Sequence, residues 1–279
     1  MSEINDILKE TLASTSIKFD KKEKIKAIIT LIIMFTVTFI LWNKEILEPV
    51  HLDFLSILIY PIKIFAIFLH YLSHGIVAII TGGHVVRLRF FSMYESLTSS
   101  CHFGCVFSTY NWFSHILAAS AGYLGNIFFG CLMLYISIRK NWDKTVNTII
   151  GIIMLLITLF IASSILNASI KNLHNIDIVT TSFMILFGSF MILSGTKFSD
   201  KINTFILRYL GIVSCLYVFF EMPKNIFITT PNDGYQCNAQ VAGLLGMPFL
   251  SVPIGIIWLL LSALALYFTL KITFKTEEK

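Results

Sequence analysis

The sequence predicts an all-α multi-pass membrane protein of six or seven transmembrane helices, with a small β-hairpin after a His-x-x-x-His helix. Three observations predict it. Of the 279 residues, 56% are hydrophobic and only 13% are charged, against roughly 25% charged in soluble domains. The apolar residues gather into seven segments, several of which meet the about 20 residues that a helix needs to cross hydrocarbon. Between the second and third segments the pattern changes to short alternating, β-branched runs, which suit strands.

The elements follow in order. Residues 1–26 form a polar N-terminal segment of mixed charge that ends in "KKEKIK". Nothing there reads as a cleavable signal, and the first apolar stretch is long enough to stay as a helix. An integral-membrane domain covers 27–270, and 271–279 is a polar tail. The first segment, 27–42, reads "AIITLIIMFTVTFILW". Residues 52–60 are apolar too, and Pro61 then breaks or kinks the run. The second segment, 62–80, carries Lys63 near one end and His70 and His74 inside. Gly82 and Gly83 end that helix. "HVVRLRFF" then reads as a strand, with "CVFSTY" as its hairpin partner. The third segment, 112–138, contains "ASAGYLGNIFFG", whose small residues allow close helix approach. The remaining segments are 146–166, 178–195, 204–220 and 249–270.

The formal net charge of +5 falls between apolar stretches and at the two ends. That is the usual distribution of a membrane protein. No zinc-finger spacing or aromatic-basic interleaving accompanies it, so the expected partner is the lipid bilayer and not nucleic acid. The basic N-terminus favours a cytosolic start, although later basic residues fall on both sides of any alternating arrangement. A bacterial inner membrane or an organelle membrane is expected. Of five cysteines, Cys131 and Cys215 fall in predicted helices, and Cys237 lies near the last segment. Cys101 and Cys105, in "CHFGC", fit a disulfide, a metal site or two thiols, with thiols the default.

The residues that carry chemistry sit in "FLHYLSHGIVAIITGG", 68–83. A helix turns once per 3.6 residues, so His70 and His74 share one face. His70 lies about 10 Å along the helix from Lys63, well inside the membrane layer. An imidazole there is costly without a partner. A metal would satisfy both rings, and so would hydrogen bonds to backbone or packed polar groups. A zinc site needs a third protein ligand. Asp233, in "TTPNDGYQCNAQVAGLLGMP", is the best-placed one. Asn232 or Asp233 can equally cap "GYQCNAQVAGLL" as a short apolar helix of the re-entrant kind.

Four stretches resemble the site-2 protease-like intramembrane zinc metallopeptidases, in particular their compact, peptidase M50B-like subgroup. "HYLSHGIVAIITGGHVVRLRF" is similar to that subgroup's His-Glu-x-Gly-His-Ala followed by a Thr-Gly-Gly turn. "AASAGYLGNIFFG" resembles its Ala-Gly-Tyr-Leu-Gly segment. "LGIVSCLYVFFEM" and "NDGYQCNAQVAGLLGMP" resemble its late Leu-Tyr and Asp-containing blocks. The resemblance runs in family order from about 60 to 270. It implies Zn2+ held by His70, His74 and Asp233, and peptide-bond hydrolysis on membrane-anchored or single-span proteins.

The family's glutamate follows its first histidine, and Tyr71 stands in that place. That glutamate takes a proton from zinc-bound water and passes it to the leaving amine. A phenol titrates near pH 10 and is a poor base near neutrality. Ser73 and Gly75 replace a glycine and an alanine of the pattern. Glu221 is the better of two substitute carboxylates, ahead of Glu95, because it shares a chain stretch with Asp233. Glu48 and Asp53 read as solvated loop charges, and His115 as a polar contact near the start of the third segment. Three functions compete. One is a proteolytically inactive relative that binds membrane proteins as a scaffold, with "HVVRLRFF" as an edge for an extended peptide. Another is an active metallopeptidase. The third is a transporter lined by His70, His74 and Arg208, although no internal repeat supports it.

Overall fold

Hydrocarbon offers no water to a backbone amide, so apolar segments satisfy their own hydrogen bonds as helices. The computed structural model describes residues 21–42, 51, 55, 58–89, 104–108, 111–139, 142–167, 175–227 and 237–273. Glu48, Asp53, Glu95, Cys101 and Asp233 lie outside the described residues. The elements are α1 (Lys21–Trp42), α2 (Tyr60–Ile80), β1 (His84–Arg89), β2 (Gly104–Ser108), α3 (Trp112–Arg139), α4 (Asp143–Asn167), α5 (Asn175–Lys197), α6 (Asp200–Phe227), α7 (Cys237–Leu244) and α8 (Ser251–Thr273). All seven apolar segments are helical. Five of these helices carry windows long and apolar enough to span a membrane among the described residues: Tyr60–Ile80, Trp112–Ile138, Asp143–Phe160, Asp200–Met222 and Pro248–Ile272. The helices α1 and α5 have 22 and 23 residues.

Pro61 starts α2 rather than kinking it. It occupies the first turn, where no hydrogen bond is lost. The helix ends where Gly82 takes φ +86°. That left-handed turn lets the Gly83 amide donate back to Ala78 at 2.8 Å, and only glycine adopts it without penalty. The chain then enters β1, which pairs antiparallel with β2 from His84↔Ser108 to Arg89↔Gly104, with a bulge between Val85 and Arg87. Both strands pack on α2.

Burial sorts the helices into two layers. The spanning windows of α2 and α6 are 61% and 67% buried, whereas those of α4 and α8 are 28% and 22% buried. Leu156, Leu159, Phe160, Leu260 and Leu264 therefore face outward, as lipid requires. At the centre, α3 packs on α2, α6, α7 and α8. Its crossing with α6 rests on Gly130 and Gly211, where an added Cβ would press on the facing backbone. The outer pair, α4 and α5, meets in the same way at Gly151 and Gly188. Close approach of small residues is what drives helix association in lipid.

Buried polar side chains tie the layers together. Asn147 donates to Asn203 Oδ1 at 2.8 Å, and Asn203 donates to the Ser194 carbonyl at 2.8 Å. Thr204 donates to Asp143 at 3.0 Å, and Arg208 Nη2 donates to the Ser137 carbonyl at 3.2 Å. On the other side Trp42 donates from Nε1 to Glu221 at 2.8 Å and packs on Phe220, fastening α1 to α6.

A Cβ at Gly151 would stand 2.5 Å from the Gly188 carbonyl oxygen, a backbone atom that cannot rotate away. Gly151→Val is expected to cost about 1–3 kcal/mol by overpacking, read as a lower unfolding temperature in detergent. Nothing lies within 4 Å of a Cβ at Gly243, so Gly243→Ala leaves that temperature unchanged or slightly raised.

Candidate metal centre

The centre is built where α2 lies against α3. His70 and His74 are one helical turn apart on α2 and only 3% and 4% exposed. The face of α3 opposite them is made of small residues. Ala118 and Ala119 are fully buried, and Gly122 backs the two rings. A Cβ at Gly122 would lie 2.5 Å from Nε2 of His70 and closer still to His74. One turn on, a Cβ at Gly125 would overlap the Ser73 side chain. The Ser73 hydroxyl donates to the Leu69 carbonyl within its own helix. Asn126 donates to the Ala66 carbonyl at 3.0 Å and locks the register of the two helices.

This packing orients the imidazoles. Nδ1 of His74 lies 2.6 Å from the Ala118 carbonyl oxygen. A carbonyl only accepts, so Nδ1 carries the proton and Nε2 of the neutral ring keeps its lone pair. That lone pair points at His70, whose Nε2 is 3.1 Å away. Nδ1 of His70 is buried with no hydrogen-bond partner among the described residues. A histidine held through Nδ1 by a backbone carbonyl, with its Nε2 lone pair turned towards other donor atoms, is the arrangement that metal-ligating histidines use.

The short helix α7 brings a third donor. Cys237 Sγ stands 3.4 Å from Nε2 of His70 and 3.4 Å from Nε2 of His74. Eight residues make a helix of about 12 Å, far short of the about 30 Å of hydrocarbon. Side chains hold it in place instead. Asn238 donates to the Ser251 hydroxyl at 2.9 Å, and the Trp112 indole donates to the Leu244 carbonyl. Among the described residues, His70, His74 and Cys237 form the cluster whose donor atoms converge closely enough to hold a metal ion. The spacing is close to that of one. A tetrahedral ion with bonds of about 2.0–2.1 Å to nitrogen and about 2.3 Å to sulfur keeps its donors roughly 3.3–3.6 Å apart; the two sulfur distances lie inside that range and the 3.1 Å between nitrogens just below it.

Aromatic rings wall the centre. His70 packs edge-on against Tyr71 at 5.1 Å and Tyr123 at 4.6 Å, with Tyr217 at 5.5 Å. Trp258 of α8 closes on Tyr123 at 5.5 Å. Tyr71 is half-buried beside both histidines, with its ring 5.9 Å from that of His74. Glu221 lies one turn beyond Tyr217 on α6, with its carboxylate engaged by Trp42. His115 is in the first turn of α3, its amide bonded to the Asn111 carbonyl. Asp233 belongs to the stretch outside the described residues. Cys237, which the sequence motifs do not single out, is the donor that the fold adds. Its signal was a soft ligand opening a short apolar helix four residues after Asp233.

Membrane-length helices around a buried cluster of two histidines and a cysteine define an intramembrane metallopeptidase-like protein, integral and multi-pass. The Peptidase M50B-like family model matches residues 29–269, and the chain belongs to that family. Such metallopeptidases are typically zinc-dependent. Neither a curated protein nor a solved structure matches the chain.

Gly122 leaves room for both rings, so Gly122→Ala is expected to push them off the shared point. Metal affinity should fall by about tenfold or more, on the scale of losing an orienting partner. Metal content after dialysis against a graded chelator reads this, with Gly243→Ala as the control.

Proposed function

We propose that this protein holds zinc at His70 and His74, with Asp233 as a further ligand, and uses the surrounding fold to bind membrane-anchored or single-span proteins without cleaving them by the family's glutamate route. The observation that carries the reading is the convergence of the two Nε2 atoms, 3.1 Å apart, beside a tyrosine. Zinc, when bound, supplies a Lewis acid and an activated water. Hydrolysis further needs a base that takes the proton of that water and returns it to the leaving amine. Tyr71 follows His70 directly, and a neutral phenol donates a hydrogen bond but does not accept that proton. The convergence of both histidines on one point supports a binding centre over a permeation path. The antiparallel pair β1–β2, packed on α2, supports a role for β1 as a platform for an extended segment of the client.

A second reading is favoured by the place of Glu221. This carboxylate is partly buried one turn from Tyr217, which touches His70. Released from Trp42, it would serve as the base of an active peptidase.

Purified wild-type protein is expected to carry about one zinc per chain. His70→Ala should lose it, and Asp233→Ala should weaken binding by more than the roughly 10–100-fold that an orienting partner is worth. A properly folded, unchelated wild type without zinc would sink the metal reading. In proteoliposomes the wild type should leave a membrane-anchored reporter intact. Cleavage that disappears in Glu221→Gln would establish the second reading. Tyr71→Glu tests whether the base alone is missing, since it returns a carboxylate to the place next to His70.

A further inference from the structure

We propose that the Cys237 thiolate is itself a ligand of the metal held by His70 and His74, so that the centre is a nitrogen–sulfur site. The inference rests on the metal-binding reading above and names a donor that this reading does not need.

Three donor atoms from two elements converge on one point. Cys237 Sγ stands 3.4 Å from both Nε2 atoms, which are themselves 3.1 Å apart. Three donors at the corners of a nearly equilateral triangle match one face of a tetrahedron around a common ion. Position is set by the fold and not by the cysteine alone. Asn238, the next residue, is fully buried and anchored on Ser251, and the far end of α7 is anchored on Trp112. On the opposite side Gly122 backs both rings, where any Cβ would meet them.

The chemistry of the donor set is distinctive. Two imidazoles and a thiolate favour zinc, or a softer ion of the same kind, and disfavour magnesium and calcium, which take oxygen. The thiol proton leaves as the metal enters. The thiolate then cancels one of the two positive charges that a divalent ion brings into an apolar layer, where an uncompensated charge is costly. Cys237 brings the converging ligands among the described residues to three, which leaves one position of a tetrahedral ion for a further donor.

The test uses the full-length protein in detergent, stripped with chelator and reloaded with cobalt(II), which reports its ligands optically. Wild type is expected to show visible d–d bands together with a near-ultraviolet thiolate-to-cobalt charge-transfer band. Cys237→Ser, close to isosteric, should keep the d–d bands and lose the charge-transfer band. Cys131→Ala/Cys215→Ala should keep both. Zinc X-ray absorption gives a second readout, a sulfur shell at about 2.3 Å in wild type that is absent in Cys237→Ser. Bound metal with only nitrogen and oxygen donors, or a charge-transfer band that survives Cys237→Ser, overturns this inference and leaves the metal reading standing. Failure of folded wild type to bind cobalt or zinc overturns the metal reading itself, and this inference with it.

Discussion

The closeness of α2 and α3 controls what the rest of the molecule can do. Two imidazoles occupy space that side chains would fill in most helix pairs. They fit because Ala118, Ala119, Gly122 and Gly125 give α3 almost no surface of its own. The same closeness brings the Ala118 carbonyl within reach of His74 Nδ1 and the Asn126 amide within reach of the Ala66 carbonyl. One contact therefore sets helix register, ring orientation and the direction of the lone pair. Aromatic residues from α2, α3, α6 and α8 then wall the rings.

Apolar surroundings make every buried polar group ask for a partner, and the molecule answers in two ways. Far from the histidines the partners are neighbouring helices. Asn147, Asn203, Thr204 and Arg208 find backbone carbonyls, a side-chain amide and a carboxylate across the α3, α4, α5 and α6 contacts. Polar contacts of this kind join helices that no hydrophobic force would bring together inside lipid. At the histidines the groups meet one another, nitrogen to nitrogen and nitrogen to sulfur, with Nδ1 of His70 left over. The first pattern is glue. The second is a set of donors awaiting a common acceptor.

The helices were legible because lipid allows few alternatives. An apolar run of sufficient length must be helical, and all seven such runs are. The hairpin was legible because alternation and the paired glycines Gly82 and Gly83 break the helical pattern. The small-residue face of α3 was visible in "ASAGYLGN". Cys237 was not, for a physical reason. Nothing local aims its sulfur at the histidines. That aim comes from Asn238 on Ser251 and from Trp112 on Leu244, the second pair 132 residues apart. Glu221 is a similar case, since its Trp42 partner is 179 residues away. Contacts of that range follow from packing and leave no mark in a spacing pattern.

The anchoring of α7 also has a consequence for how the chain is made. His74 and Cys237 are 163 residues apart. At about 5–20 residues per second of synthesis, on the order of ten to thirty seconds separate their emergence. Through that interval α2 and α3 can already be paired in the bilayer, with the two imidazoles facing each other. The sulfur arrives only when α7 docks, and α7 docks against α8. The earliest part of the site is thus finished by the last helix described, and a chain released before α8 would carry the histidines without the element that completes their triangle.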